Sequence, residues 1–152
     1  MANIEKRLEE LGIVLPAAPR PVASYVPVVI ASGLAHVAGQ VSRNAEGGVL
    51  GKLGRELKLE DGQRAARLCG LYLIAQLKAA LGDLDRVKRI VKINGFVNVT
   101  PDFGEIPQVM NGCSDLLVEV FDEAGRHARS AVGVANLPLN FAVEADGVFE
   151  VA

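Results

Sequence analysis

Two stretches near the C-terminus carry residue types able to bind and transform a small anion: Arg129-Ser130-Ala131-Val132-Gly133-Val134-Ala135-Asn136-Leu137-Pro138, and a following segment that holds Glu144. Arg129 is a permanently charged planar fork at the edge of a small, apolar run, and a guanidinium there seeks a flat bidentate anion such as a carboxylate. Two partners are open to it. Glu144 would make a strand-to-strand ion pair, whereas a ligand carboxylate would use the space beside Ala131 and Gly133, which share the face of Arg129 by two-residue alternation. His127, two residues before Arg129, reads either as an acid/base on that face or as a polar residue at the strand edge.

Other chemistries fail on spacing. Gly51-Lys52 is half of a phosphate-binding loop, but Leu53 stands where Ser or Thr must ligate magnesium and Glu46 where a glycine is required. The two histidines, His36 and His127, lie far apart, and Cys69 and Cys113 belong to no CxxC or Cys/His cluster, so neither a metal nor a cofactor is expected. Both cysteines are read as free thiols, and His36, inside an apolar strand, as a hydrogen-bonded core or interface residue. Arg86, Lys88, Arg89 and Lys92 form a basic run without a stacking aromatic, which favours a solvated edge over an RNA surface. A net charge of −2, from 16 basic and 18 acidic residues, points the same way. The apolar run Leu68 to Leu81 is broken by Gln76 and Lys78 and is shorter than the roughly 20 residues of a membrane span. With no secretory segment read at the start, a cytoplasmic protein is expected.

The elements that must position these residues follow from periodicity. At 152 residues, half of them apolar, the chain has the length of one domain with a self-sufficient core. Asn3 to Leu11 spaces Ile4, Leu8 and Leu11 as a short helix behind an Asn3 cap, and the proline-rich 15–23 stretch makes an extended lead-in. Residues 1–21 are thus a preface to a domain over 22–152. Val26 to Ala31 and Leu34 to Ala38, parted by Ser32-Gly33, predict a hairpin, and the glycine-rich 39–58 stretch a long loop. Three- and four-residue apolar steps predict helices over Asp61–Leu81 and about Gln108–Phe121; alternation predicts a strand over Val91–Val99. Residues 129–135 and 141–151 add two β segments. The resulting α+β fold is one mixed sheet of about six strands with both main helices on one face. Its strands carry apolar or small residues on both sides, so the uncovered face is expected to bury itself against other subunits.

The run ARSAVGVANLP at 128–138 resembles the Rid proteins (reactive intermediate deaminases), also called YjgF-like or L-PSP endoribonuclease-like. So do Val37-Ala38-Gly39-Gln40, Gly82-Asp83-Leu84, Asp102-Phe103 and Val143-Glu144. The resemblance covers about residues 22–151. It implies a chorismate-mutase-like fold and a homotrimer whose sheets form a central barrel with three clefts between subunits. It also implies hydrolysis of imine or enamine acids of the 2-aminoacrylate type to 2-keto acids and ammonia. By the same resemblance Arg129 binds the substrate carboxylate and Glu144 handles the attacking water. Tyr25 matches an aromatic at the cleft mouth, Gly39 a backbone contact, and Asn111 the family's cleft asparagine. A module that only holds small carboxylates would need the same clamp, and some relatives carry a ribonuclease label. Ala38 replaces a common Ser or Thr, and Ala131 a frequent Cys.

Overall fold

The computed structural model describes residues 3–152 and has five strands, one fewer than expected, in a single mixed sheet. Helix α1 (Asn3–Glu10) precedes the hairpin β1 (Val28–Ala31) and β2 (Leu34–Val41); α2 (Leu59–Leu81), β3 (Val87–Asn98), α3 (Ile106–Phe121), β4 (Ala128–Val134) and β5 (Val143–Val151) follow. The spatial order is β1-β2-β5-β3-β4. Only β3 and β4 pair in parallel, joined through α3, while β5 inserts antiparallel between β2 and β3. Ser32 (φ 51°) and Gly33 (φ 76°) both lie in the left-handed region, the mirror-image turn whose twist matches a two-residue hairpin.

Both main helices cover the same face, as the periodicity predicted. The core between them and the sheet holds Leu73, Ile74 and Leu77 of α2, Met110, Leu116 and Leu117 of α3, and Ile90, Ile93, Val97 and Phe149 of the strands. Cys69 and Cys113 are free and fully buried. Burial raises both thiols, Cys113 to about 12, which leaves them protonated and inert in the folded state. No helix among the described residues is long and apolar enough to cross a membrane.

Three local expectations change. Asn3 is not a cap: it lies within α1, and the carboxylate of Asp85 accepts from the backbone N–H groups of Asn3 (2.8 Å) and Ile4 (2.9 Å). A distant acid thus supplies what a local side chain was expected to, and its pKa is lowered by those two bonds. The strand β2 runs on through Gly39, Gln40 and Val41, and Leu53 in the following loop is fully buried, bridged to Val99. Of the two places read for His36, the core is ruled out and an interface stays open: it is exposed on the sheet face opposite the helices, level with its strand partners Val29 and Val148.

Candidate functional site

Register decides where each candidate residue points. Arg129 pairs with Ile93, which is fully buried under the helices, so Arg129 emerges on the helix side at the sheet edge formed by β4. Glu144 pairs with Phe96 and Val41, one position out of phase with the buried Val143, and so stands on the open face. The strand-to-strand ion pair is therefore absent: the two side chains occupy opposite faces of one sheet.

At the edge, α3 brings Asn111 and Ser114, one helical turn apart, up to Arg129. Its Nη1 donates to Asn111 Oδ1 at 2.9 Å and to Ser114 Oγ at 3.1 Å. His127 joins the same group, with Ser114 Oγ 2.9 Å from its Nε2 and the Gly125 carbonyl 2.7 Å from its Nδ1. A carbonyl only accepts, so the proton is assigned to Nδ1, and Nε2 accepts from the serine hydroxyl. Burial, with the Arg129 charge adding to it against the Gly125 bond, holds His127 below the ordinary imidazole range and favours this neutral form. Ser114 is the residue that sequence reasoning missed. Its only signal is a polar side chain three residues after Asn111, one turn along the same helix. Nε and Nη2 of Arg129 stay free of protein partners among the described residues, and Arg129 lines a cavity of about 280 Å³ together with Asp115, Val118 and Arg126. The space expected beside Ala131 and Gly133 is filled: Ala131 packs on the core, and a side chain at Gly133 would meet Val99 and Ile106.

On the open face, Glu144 lines a cavity of about 390 Å³ with Tyr25, Gly39, Val41, Arg43 and Phe141. The strand β2 bulges there, with Ala38 and Gly39 falling between the pairs Val37–Gly147 and Gln40–Ala145. A Cβ at Gly39 would overlap the Glu144 carboxyl group, so this glycine is what lets the acid lie across the strand. Burial first, then the charge of neighbouring Asp146, raises the pKa of Glu144. A half-buried carboxylate with a raised pKa is suited to taking a proton from water near neutral pH.

The structure thus brings Asn111, His127 and Arg129 together, and separately Tyr25, Gly39 and Glu144, but not the two sets within one chain. Two arginines of the basic run are engaged with backbone carbonyls. Arg86 donates to the carbonyls of Ala152 and Leu81, and Arg89 to that of Arg126. Among the described residues no group of three or more His, Cys, Asp or Glu is placed to hold a metal ion.

The family model described as "YjgF/chorismate mutase-like, putative endoribonuclease" matches residues 5–145 of the chain. Protein TCP17 of Trypanosoma cruzi is 51% identical over 150 residues, spanning 97% of this chain and 94% of that protein. Among solved structures, the Agrobacterium tumefaciens protein Atu1372, of unknown function, superposes with a TM-score of 0.92 at 46% identity, over 99% of this chain and 93% of its own. A Shewanella oneidensis protein described as a putative endoribonuclease reaches 0.93 at 35% identity, over 97% of this chain and 99% of its own.

Proposed function

The chain belongs to the YjgF/chorismate mutase-like family, the Rid-type proteins that its Arg129 strand resembles, and from that premise we propose that it hydrolyses reactive imine or enamine acids to 2-keto acids and ammonia. The observation that carries this reading is the pair of incomplete sites: a guanidinium with an unused fork at one sheet edge, and a carboxylate of raised pKa in a cavity on the opposite face. Set against each other across two copies of the chain, they make one complete site.

Arg129 holds the substrate carboxylate by two parallel bonds, and Asn111 and Ser114 keep the guanidinium plane fixed while it does so. The neutral His127 orients the Ser114 hydroxyl, so that a serine lone pair faces Arg129. Tyr25 closes the cavity mouth. An enamine first tautomerises to the imine. Glu144 then takes a proton from water as the oxygen bonds to the imine carbon and returns it to the nitrogen, giving the carbinolamine; its hydroxyl proton passes by the same carboxylate to the nitrogen as the C–N bond breaks, so that ammonia leaves, the keto group forms and Glu144 is again ionised. No cofactor takes part in this sequence, and neither a membrane nor a nucleic acid is part of the reading.

The direct test is release of ammonia and 2-keto acid from imino acids generated in the cuvette, with native protein beside Arg129→Ala. Release above the spontaneous rate, lost in the variant, supports the proposal. Keto-acid binding without turnover would make the protein a carboxylate-binding module using the same clamp.

The assembly we propose is a homotrimer. On the open face Phe96 pairs with Val132, Val148 pairs with Lys92 and His36, no helix among the described residues covers them, and Val29 and Val132 are 51% and 48% exposed. Closing three copies around an axis would bury them and bring Arg129 of one copy to Glu144 of the next. Light scattering during gel filtration is expected to give three times the 16.1 kDa chain mass. A stable monomer at micromolar concentration would leave the two half-sites apart and defeat the mechanism.

A further inference from the structure

A second cavity, of about 250 Å³, shares Tyr25, Gly39, Val41 and Arg43 with the Glu144 cavity and adds Arg20 to its wall. The imine chemistry uses neither arginine. Among the described residues neither guanidinium has an acidic partner, and Arg43 stands beyond ion-pair distance of Glu144 although both line the same space. Two exposed guanidinium groups on the wall of one cavity, neither with an acidic partner among the described residues, leave their planar donor forks available to an anion.

The wall is also held in place. Gln76 of α2, only 2% exposed, donates to the Pro19 carbonyl at 2.9 Å and to Gln40 Oε1 at 3.3 Å. Gln40, 7% exposed, donates in turn to the carbonyls of Ala38 and Gly39 at 3.0 and 3.3 Å. This buried amide relay ties the backbone next to Arg20 to the bulge that leads into Arg43. Pro19 and Pro21 flank Arg20 and restrict the backbone there further. A polar residue inside the apolar run of α2, which the sequence shows only as an interruption, is the fastener of the cavity.

We infer that Arg20 and Arg43 form a second anion subsite, so that the substrate class carries two anionic groups: imines of 2-keto acids whose side chain ends in a carboxylate or a phosphate. The inference rests on the proposed hydrolysis at Glu144 and names its substrate. The α-carboxylate lies on Arg129 of one copy, the reacting carbon beside Glu144 of the next, and the distal anion on the two arginines of that same copy.

Calorimetric titration of the full-length protein tests this with 2-oxoglutarate, 3-phosphohydroxypyruvate and 2-oxohexanoate, the last having an uncharged chain. At low salt at least one of the two ligands with an anionic chain end is expected to bind about tenfold tighter than 2-oxohexanoate, the margin shrinking in 0.5 M salt as screening grows. Whichever of the two binds tighter identifies the terminal group. The double variant Arg20→Gln/Arg43→Gln should bring the affinity ratio close to one, and Arg43→Gln alone should reduce it. Both residues are exposed and have no acidic partner among the described residues, so a native thermal unfolding curve is the folding control. A ratio near one in the native protein, or a margin that persists in the double variant, overturns the inference. If binding of 2-oxohexanoate still depends on Arg129, the hydrolase reading survives that result; if it is indifferent to Arg129→Ala, the clamp itself is wrong.

Discussion

Glu144→Gln is expected to lower imine hydrolysis by roughly 10²- to 10⁴-fold, the usual cost of losing a general base, while 2-keto acid affinity changes only a few-fold. The amide keeps the shape of the side chain and can still hydrogen-bond water, but it cannot accept a proton at neutral pH. Its place across the Gly39 bulge should be retained, since only the terminal atom changes. The pH profile supplies an independent readout. A base must be ionised to act, and burial together with Asp146 raises the pKa of Glu144, so native turnover should fall on acidification at a pH above the ordinary glutamate range. That acid limb should disappear from the residual activity of the variant. Steady-state rates across pH, beside titrations with a 2-keto acid, make the measurement. Unchanged turnover in Glu144→Gln, with Arg129→Ala inactive, would mean that the acid shapes the cavity and that backbone groups hold the water.

Arg129→Lys is expected to weaken 2-keto acid binding by on the order of 1–3 kcal/mol, about tenfold to a hundredfold, without loss of the assembled state. In the native chain one nitrogen of the fork is already engaged with Asn111 and Ser114, and the remaining two present a planar edge to a carboxylate. A lysine ammonium carries the charge but is a single point. It can serve the two protein acceptors or the ligand, and it cannot form the two parallel bonds. Because Arg129 makes no ion pair among the described residues, no buried carboxylate there is left stranded by the change, so the fold should be indifferent to it. Equal affinity in both proteins would show that the fork is not the ligand's anchor. A dispersed oligomer in the variant would instead assign Arg129 to subunit contacts.

Much of the fold was legible because it is local. The three- and four-residue apolar steps of 61–81, the alternation of 91–99 and the Ser32-Gly33 pair each report a conformation set by neighbours a few residues away. The family relationship was legible too, since the spaced run at 128–138 and the Val143-Glu144 pair are features of the chain itself. The candidate chemistry came with them: one fork, one carboxylate, and a glycine before the second strand's end.

What the chain order does not contain is the partner of each strand. β5 enters between β2 and β3 from the far end of the sequence, and its register turns Glu144 away from the helices, while the separate parallel pairing of β4 with β3 turns Arg129 toward them. A shift of one residue would reverse either assignment, because strand side chains alternate. Asp85 in place of Asn3 at the start of α1, Ser114 between His127 and Arg129, and Gln76 between Pro19 and Gln40 are likewise contacts across many residues of sequence. The sequence by itself determined which groups were available and which local elements would carry them. The tertiary structure decided which groups meet, because hydrogen bonds and charge pairs act over a few ångströms in space, and only the packed sheet and helices set those distances.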